Sequence, residues 1–124
     1  MLDDCKTWAI VGLSTDTSRP AYSIAALLQE RGKRIVAIHP AAPEVLGEQG
    51  YATLADVPFS IDVVDVFRRS QAAGQFADEA VAVGARAVWF QLGVIDEEAF
   101  ARTAAAGVPM VMDTCPAIEW RTRG

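Results

Sequence analysis

Five short apolar runs punctuate the chain, at positions 7–13, 34–39, 62–67, 87–92 and 108–113, each closed by turn residues. Ile35-Val36-Ala37-Ile38, Val63-Val64 and Met110-Val111-Met112 are continuously apolar rather than alternating. That is the pattern of strands covered on both faces. Segments of helical character lie between most of the runs. Residues 20–31 open with Pro20 in the first turn, carry Ile24, Leu27 and Leu28 on one face, and stop at Gly32. Residues 70–83 stop in the same way at Gly84, and residues 96–106 run from an Asp96 N-cap to Gly107. The connection 40–61 is the exception: it holds Gly47, Gly50 and only a short helical candidate at 53–57. A crossover made mostly of loop often carries binding contacts. The polar tail 119–124 is expected to fray.

Alternating strands and helices predict a single α/β domain over residues 1–124. Its five-stranded parallel sheet has right-handed crossovers and helices on both faces, giving three layers. The expected strand order is doubly wound, 3-2-1-4-5, with the switch point at the carboxyl ends of strands one and four. The chain delivers Gly12-Leu13-Ser14, His39-Pro40, Phe67-Arg68, Gln91-Leu92-Gly93 and Asp113-Thr114-Cys115 to that edge.

Composition narrows the ligand. At 124 residues and 52% hydrophobic, the chain can build one core. No apolar run approaches the roughly 20 residues that span a bilayer. Met1-Leu2-Asp3-Asp4 lacks the basic start of a signal peptide. The expectation is a cytoplasmic protein without a membrane partner. A formal net charge of −5 argues against nucleic acid. It leaves room for one phosphorylated ligand, because local dipoles and one or two arginines outweigh the net field at short range. Cys5 and Cys115 form no CxxC, and His39 alone makes no zinc site, so two reduced thiols and no metal are expected.

The first loop is the most informative stretch. Trp8-Ala9-Ile10-Val11 runs into Gly12-Leu13-Ser14, and Arg19-Pro20 opens a helix. A strand, a glycine, a polar loop and a helix start are the parts of an anion site: loop N–H groups and the positive end of the helix point at a phosphate. The glycine removes a Cβ where a ligand must approach. A dinucleotide fingerprint, G-x-G-x-x-G, is not met, since Ser14 stands at the second glycine. The second run ends in His39, where an acid would grip a ribose diol. No GK[ST] follows Gly12, so this is no P-loop. Ser14, Thr15, Thr17 and Ser18, then Arg19, suit a diphosphate or ribose phosphate. They equally suit a solvated turn that caps the helix.

Val11-Gly12-Leu13-Ser14, Arg19-Pro20 and Ser23 resemble the first loop of the small stand-alone CoA-binding proteins. These are similar to the CoA-binding domain of the succinyl-CoA synthetase α subunit. The resemblance continues in order through His39-Pro40, Leu46-Gly47, Gly50-Tyr51 and Val64-Asp65-Val66-Phe67-Arg68. It then takes in Trp89-Phe90-Gln91-Leu92-Gly93, Met112-Asp113-Thr114-Cys115-Pro116 and Glu119-Trp120, so it covers nearly the whole chain. It implies a Rossmann-like fold that binds coenzyme A. Two positions depart from the pattern. Thr114 stands where many relatives carry Arg, which removes a cation, and His39 replaces the usual Asn with a titratable ring.

On that resemblance, Gly12, Leu13, Ser14 and Thr15 present donors to a pyrophosphate. Arg19 pairs with a phosphate or contacts the sheet edge, and Pro20 and Ser23 form the helix start. His39 and Pro40 border the adenine and ribose, Phe67 packs on the adenine or joins the core, and Gln91 and Gly93 flank the pantetheine arm. Arg68 directly follows a buried strand, so its charge must reach solvent, a carboxylate or a phosphate. Asp65, inside the third run, needs a partner, with Arg68 or Arg86 the candidates. Asp113 is a cap, an ion-pair partner or a ligand contact. Cys115 lies near the ligand's thiol end, and Trp8, Trp89 and Trp120 are packing residues.

No catalytic constellation is legible: no nucleophile elbow, no metal cluster, no paired carboxylates. The expected function is non-catalytic binding of CoA or acyl-CoA by a sensor, carrier or regulatory module. A subunit of a split acyl-CoA synthetase and a nicotinamide-nucleotide sensor are the alternatives. A protein partner or homo-oligomer is left open.

Overall fold

A computed structural model describes residues 5–123. The reading of residues 1–4 as lacking a signal peptide lies outside that range. The elements are β1 (Thr7–Val11), α1 (Pro20–Glu30), β2 (Arg34–Ile38), a 3-10 turn (Leu54–Asp56), β3 (Val63–Val66), α2 (Ser70–Ala82), β4 (Ala87–Phe90), α3 (Glu97–Ala105), β5 (Met110–Val111) and α4 (Pro116–Arg123). Each apolar run contains a strand. The strands are shorter than the runs because Leu13, His39, Phe67, Leu92 and Asp113 leave the ladder and form loops at the carboxyl edge. The tail is helical from Pro116, whose fixed φ suits a first turn. The packing expected of the Trp120 side chain lies outside the described residues.

All strand pairs are parallel, in the order β2-β1-β3-β4-β5. The expected 3-2-1-4-5 order is therefore corrected to 2-1-3-4-5, which is also doubly wound, and the switch point lies between β1 and β3. The reason is visible in the long connection. All four residues of β3, Val63 to Val66, are buried, so it belongs in the centre of the sheet. The free edge of β2 is occupied by Tyr51 instead. Its N–H donates to the Ala37 carbonyl at 2.9 Å, and its carbonyl accepts from the His39 N–H at 3.1 Å. The chain then crosses back, and Asp62 pins the start of β3 beside β1. Its Oδ2 accepts the N–H groups of Lys6 (2.9 Å) and Thr7 (3.0 Å).

Two cores flank the sheet. On one face Ala73, Ala77 and Ala80 of α2, Ala99 of α3 and Leu54 of the 3-10 turn cover Val11, Val64, Val66 and Phe90. On the other, Ala21, Ile24, Ala25 and Leu28 of α1 cover Trp8, Ile10, Ile35 and Trp89, with Ala117 of α4 beside them. Small residues on α2 bring it close to the sheet, while the Trp8 and Trp89 rings, 5.6 Å apart and tilted, fill the opposite layer. Among the described residues no helix is long and apolar enough to cross a membrane.

Candidate ligand cleft

A cleft of about 950 Å³ opens at the carboxyl edge above the β1/β3 switch point. Of the residues singled out from sequence, Gly12, Ser14, Arg19, Pro20, His39, Phe67, Arg68 and Gln91 line it. Leu13, Thr15, Ser23, Pro40 and Gly93 do not.

The first loop is partly consumed by the protein. Gly12 adopts φ +96°, and a Cβ there would stand 2.9 Å from the Phe67 carbonyl oxygen. The glycine is thus required by the approach of the β3 end to the loop. Its N–H donates to the Ile38 carbonyl (3.0 Å), and the Leu13 N–H donates to Ile10 (3.4 Å). The Leu13 side chain is wholly buried under α1. These two amides are committed internally, contrary to the donor role expected of them. The next two, of Ser14 and Thr15, have no acceptor among the described residues. Ser14 Oγ accepts the Asp16 N–H at 3.2 Å. Asp16 in turn accepts the Ser18 hydroxyl (2.6 Å) and N–H (3.0 Å), which hold its carboxyl below the usual range. Arg19, largely exposed, sits 3.7 Å from Asp16.

Two helix N-termini face the same space. Arg19 is the N-cap of α1 and Arg69 that of α2, and neither supplies a side-chain cap. The first-turn amides of Ala21, Ser70 and Gln71 therefore find no acceptor among the described residues. The Ser70 hydroxyl is used otherwise: it accepts the Ile95 N–H (2.9 Å) and donates to the Gly93 carbonyl (3.3 Å), tying α2 to the loop after β4.

Arg68 and Arg69 are exposed, line the cleft and form no ion pair among the described residues. The pairing of Asp65 with Arg68 or Arg86 is corrected. Arg86 lies 3.7 Å from Asp62, and Asp65 accepts a hydrogen bond from Gln91 Nε2 at 2.7 Å. Asp65 is fully buried, and burial pushes its carboxyl up to about 8 against the opposing pull of the Gln91 bond. A neutral acid is stable there because nothing in the strand interior balances a charge.

His39 Nδ1 accepts the Ala41 N–H (3.1 Å), which leaves Nε2 as the nitrogen that carries hydrogen. Phe67 lines the cleft and also packs against the α1-side core. Asp113 Oδ1 accepts the Gly93 N–H at 2.7 Å and joins the loops after β4 and β5. Asp113 and Cys115 lie on the β5 side and not in the cleft wall. Arg69, Ala21, Gln71, Ala72 and Val94 line the cleft and were not foreseen, whereas Leu92, expected at this edge, lines it too. The signal available for the first was the Arg68-Arg69 doublet at a strand-to-helix junction.

The model of a family described as a CoA binding domain matches residues 6–121. The "Uncharacterized protein YneT" of Bacillus subtilis (strain 168) is 32% identical over 115 residues, covering 93% of this chain and 85% of that protein. Two solved structures share the fold closely. Cell-free ID.343 from Thermus thermophilus is 33% identical with a TM-score of 0.91, over 98% of this chain and 92% of that one. A hypothetical protein from Pyrococcus horikoshii OT3 is 32% identical with a TM-score of 0.90, over 99% of this chain and 87% of that one.

Proposed function

This chain belongs to the CoA binding domain family, and on that premise we propose that it binds coenzyme A or an acyl-CoA without itself catalysing a reaction. One observation carries the reading: two uncapped helix N-termini and two unpaired arginines converge on a single cleft. Such a set of donors matches an anion with several phosphate oxygens. The groups that line the cleft are binders; Asp65, the one strongly perturbed acid among the described residues, is enclosed behind Gln91.

The pyrophosphate sits against the Ser14 and Thr15 amides and hydroxyls and the first turns of α1 and α2, beginning at Pro20 and Ser70. Gly12 and Leu13 shape this loop: the one admits the β3 end, the other anchors the loop in the core. Arg19, Arg68 and Arg69 neutralise phosphates at the rim. The His39 Nε2–H, Pro40 and the Phe67 face border adenine and ribose. Gln91, Leu92 and Gly93 flank the pantetheine arm, which runs toward the β5 side. Ser23, exposed on α1, serves the helix rather than the ligand.

Calorimetric titration with CoA, dephospho-CoA and NAD tests this. The expected result is micromolar-range binding of CoA, weaker binding of dephospho-CoA and no binding of NAD. Binding of NAD without CoA would replace this reading with a nicotinamide-nucleotide sensor.

A further inference from the structure

The three arginines that line the cleft are not alike. Arg68 and Arg69 form no ion pair among the described residues. Arg19 has one: its Nε lies 3.7 Å from Asp16 Oδ2. No acid lines the cleft among the described residues, yet Asp16 is tied to its wall at two points. Its N–H donates to Ser14 Oγ at 3.2 Å, and its carboxylate faces Arg19.

The two carboxylate oxygens have separate partners. Oδ1 accepts the Ser18 N–H (3.0 Å) and hydroxyl (2.6 Å), while Oδ2 faces the guanidinium. The Ser18 bonds, the hydroxyl first, hold the carboxyl below its usual range, so it is ionised at neutral pH. The turn itself needs no charge, because an asparagine Oδ1 accepts both Ser18 bonds equally well. Nor does the charge do much for the fold. The Arg19 and Asp16 side chains are 73% and 51% exposed, and exposed ion pairs contribute little to stability. What the charge does is occupy a cation and two donors at the mouth of an anion site. A backbone N–H, a hydroxyl and a guanidinium are the partners a phosphate takes.

We propose that Asp16 is an internal counter-anion of the cleft: in the free protein its carboxylate holds Arg19 and the Ser18 donors, and an incoming phosphate must take Arg19 from it. This rests on the coenzyme reading and deepens it, by naming the residue that limits affinity. Arg68 and Arg69 meet the charge of the ligand directly. Arg19 meets it by exchange, and the released carboxylate then stands beside the phosphate and repels it. The contact favours the empty cleft and eases release, because Asp16 retakes Arg19 as the phosphate departs.

Calorimetric titration of CoA at low ionic strength into the wild type, Asp16→Asn and Asp78→Asn tests this. Asp16→Asn keeps the Oδ1 acceptor for Ser18 and removes the charge. It should bind CoA about three- to tenfold more tightly than the wild type. The gain should shrink below about twofold in about 0.5 M sodium chloride, where exposed charges are screened within a few ångströms. Asp78, as exposed as Asp16, pairs with Arg102 and lies outside the cleft wall. Asp78→Asn makes the same change in net charge and should alter affinity by less than about twofold. Unchanged or weaker binding by Asp16→Asn overturns the inference, as does an equal gain in Asp78→Asn or a gain undiminished by salt. Binding by Asp16→Asn alone is the same gain in a stronger form and supports it. Failure of the wild type and Asp16→Asn alike to bind CoA overturns the coenzyme reading itself, and this inference with it.

Discussion

Asp62 and Asp65 bracket one strand and have opposite fates. At the amino end of β3, burial pushes the Asp62 carboxyl up, but the N–H groups of Thr7 and Lys6 and the Arg86 guanidinium outweigh it and hold the carboxyl below the usual range. At the cleft end, Asp65 has one amide partner and an orphaned oxygen. The helices repeat the contrast. Away from the cleft, α3 begins with Asp96, whose Oδ1 accepts the Ala99 N–H at 3.0 Å, and its first turn carries Glu97 and Glu98. The first turns of α1 and α2 have neither a side-chain cap nor an acid. The chain satisfies its polar groups at the far ends of these elements and leaves first-turn amides unsatisfied at the cleft, where the proposed ligand would take them. A missing N-cap costs roughly 1 kcal/mol in the free protein, and an anion that takes those amides offsets the cost.

The contrast breaks most visibly with pH. An acid whose folded pKa is raised binds its proton more tightly in the folded state, so stability falls as pH rises between the two pKa values. For Asp65 that window runs from 3.8 to about 8. Unfolding free energy of the ligand-free protein should decline across it by up to about 1.4 kcal/mol per pH unit, a few kcal/mol in all. Asp65→Asn should flatten that decline in denaturant titrations at pH 5 to 8. Asp62 acts in the other direction and below this window: its contribution is present above pH 3.8 and is lost only in stronger acid.

Ser14→Asp places a negative charge where the loop is left open for a phosphate. CoA affinity should fall by about a hundredfold or more, close to 3 kcal/mol, with little change in melting temperature. Retained affinity would remove the first loop from the site. Asp96→Ala should do the reverse, costing about 1 kcal/mol of stability and leaving CoA affinity unchanged. Arg69→Asp sharpens the contrast further by turning α2 into a copy of α3. The new cap should add about 0.5 kcal/mol to the ligand-free protein, while calorimetry shows CoA affinity falling. If both stability and affinity drop, the α2 N-terminus is not spare.

The elements were legible because period and punctuation are local. Pro20, Gly32, Gly84, Asp96 and Gly107 mark helix ends by their own backbone preferences. Strand order was not legible, because it depends on which strand Tyr51 shields and on the burial of β3 from both sides, neither of which has a local signal. Errors at the site followed from that order. With β3 placed beside β1, the α2 start is aimed at the cleft and Arg69 comes with it. With β3 beside β4, and Asp65 in register with Trp89, the partner of Asp65 is expected two residues on, at Gln91. The first loop was found from Gly12 and its hydroxyls. Which amides remain unspent was not, since the Gly12 N–H is taken by Ile38, on a neighbouring strand.

The unspent amides are the centre of the matter, and amide NMR during a CoA titration reads them one by one. Ser14, Thr15, Ser70 and Gln71 N–H resonances should shift downfield and gain protection from exchange, while Gly12, Leu13 and Ala99 stay nearly where they are. Saturation with CoA that leaves those four amides unmoved would contradict an anion site built from uncapped helix ends.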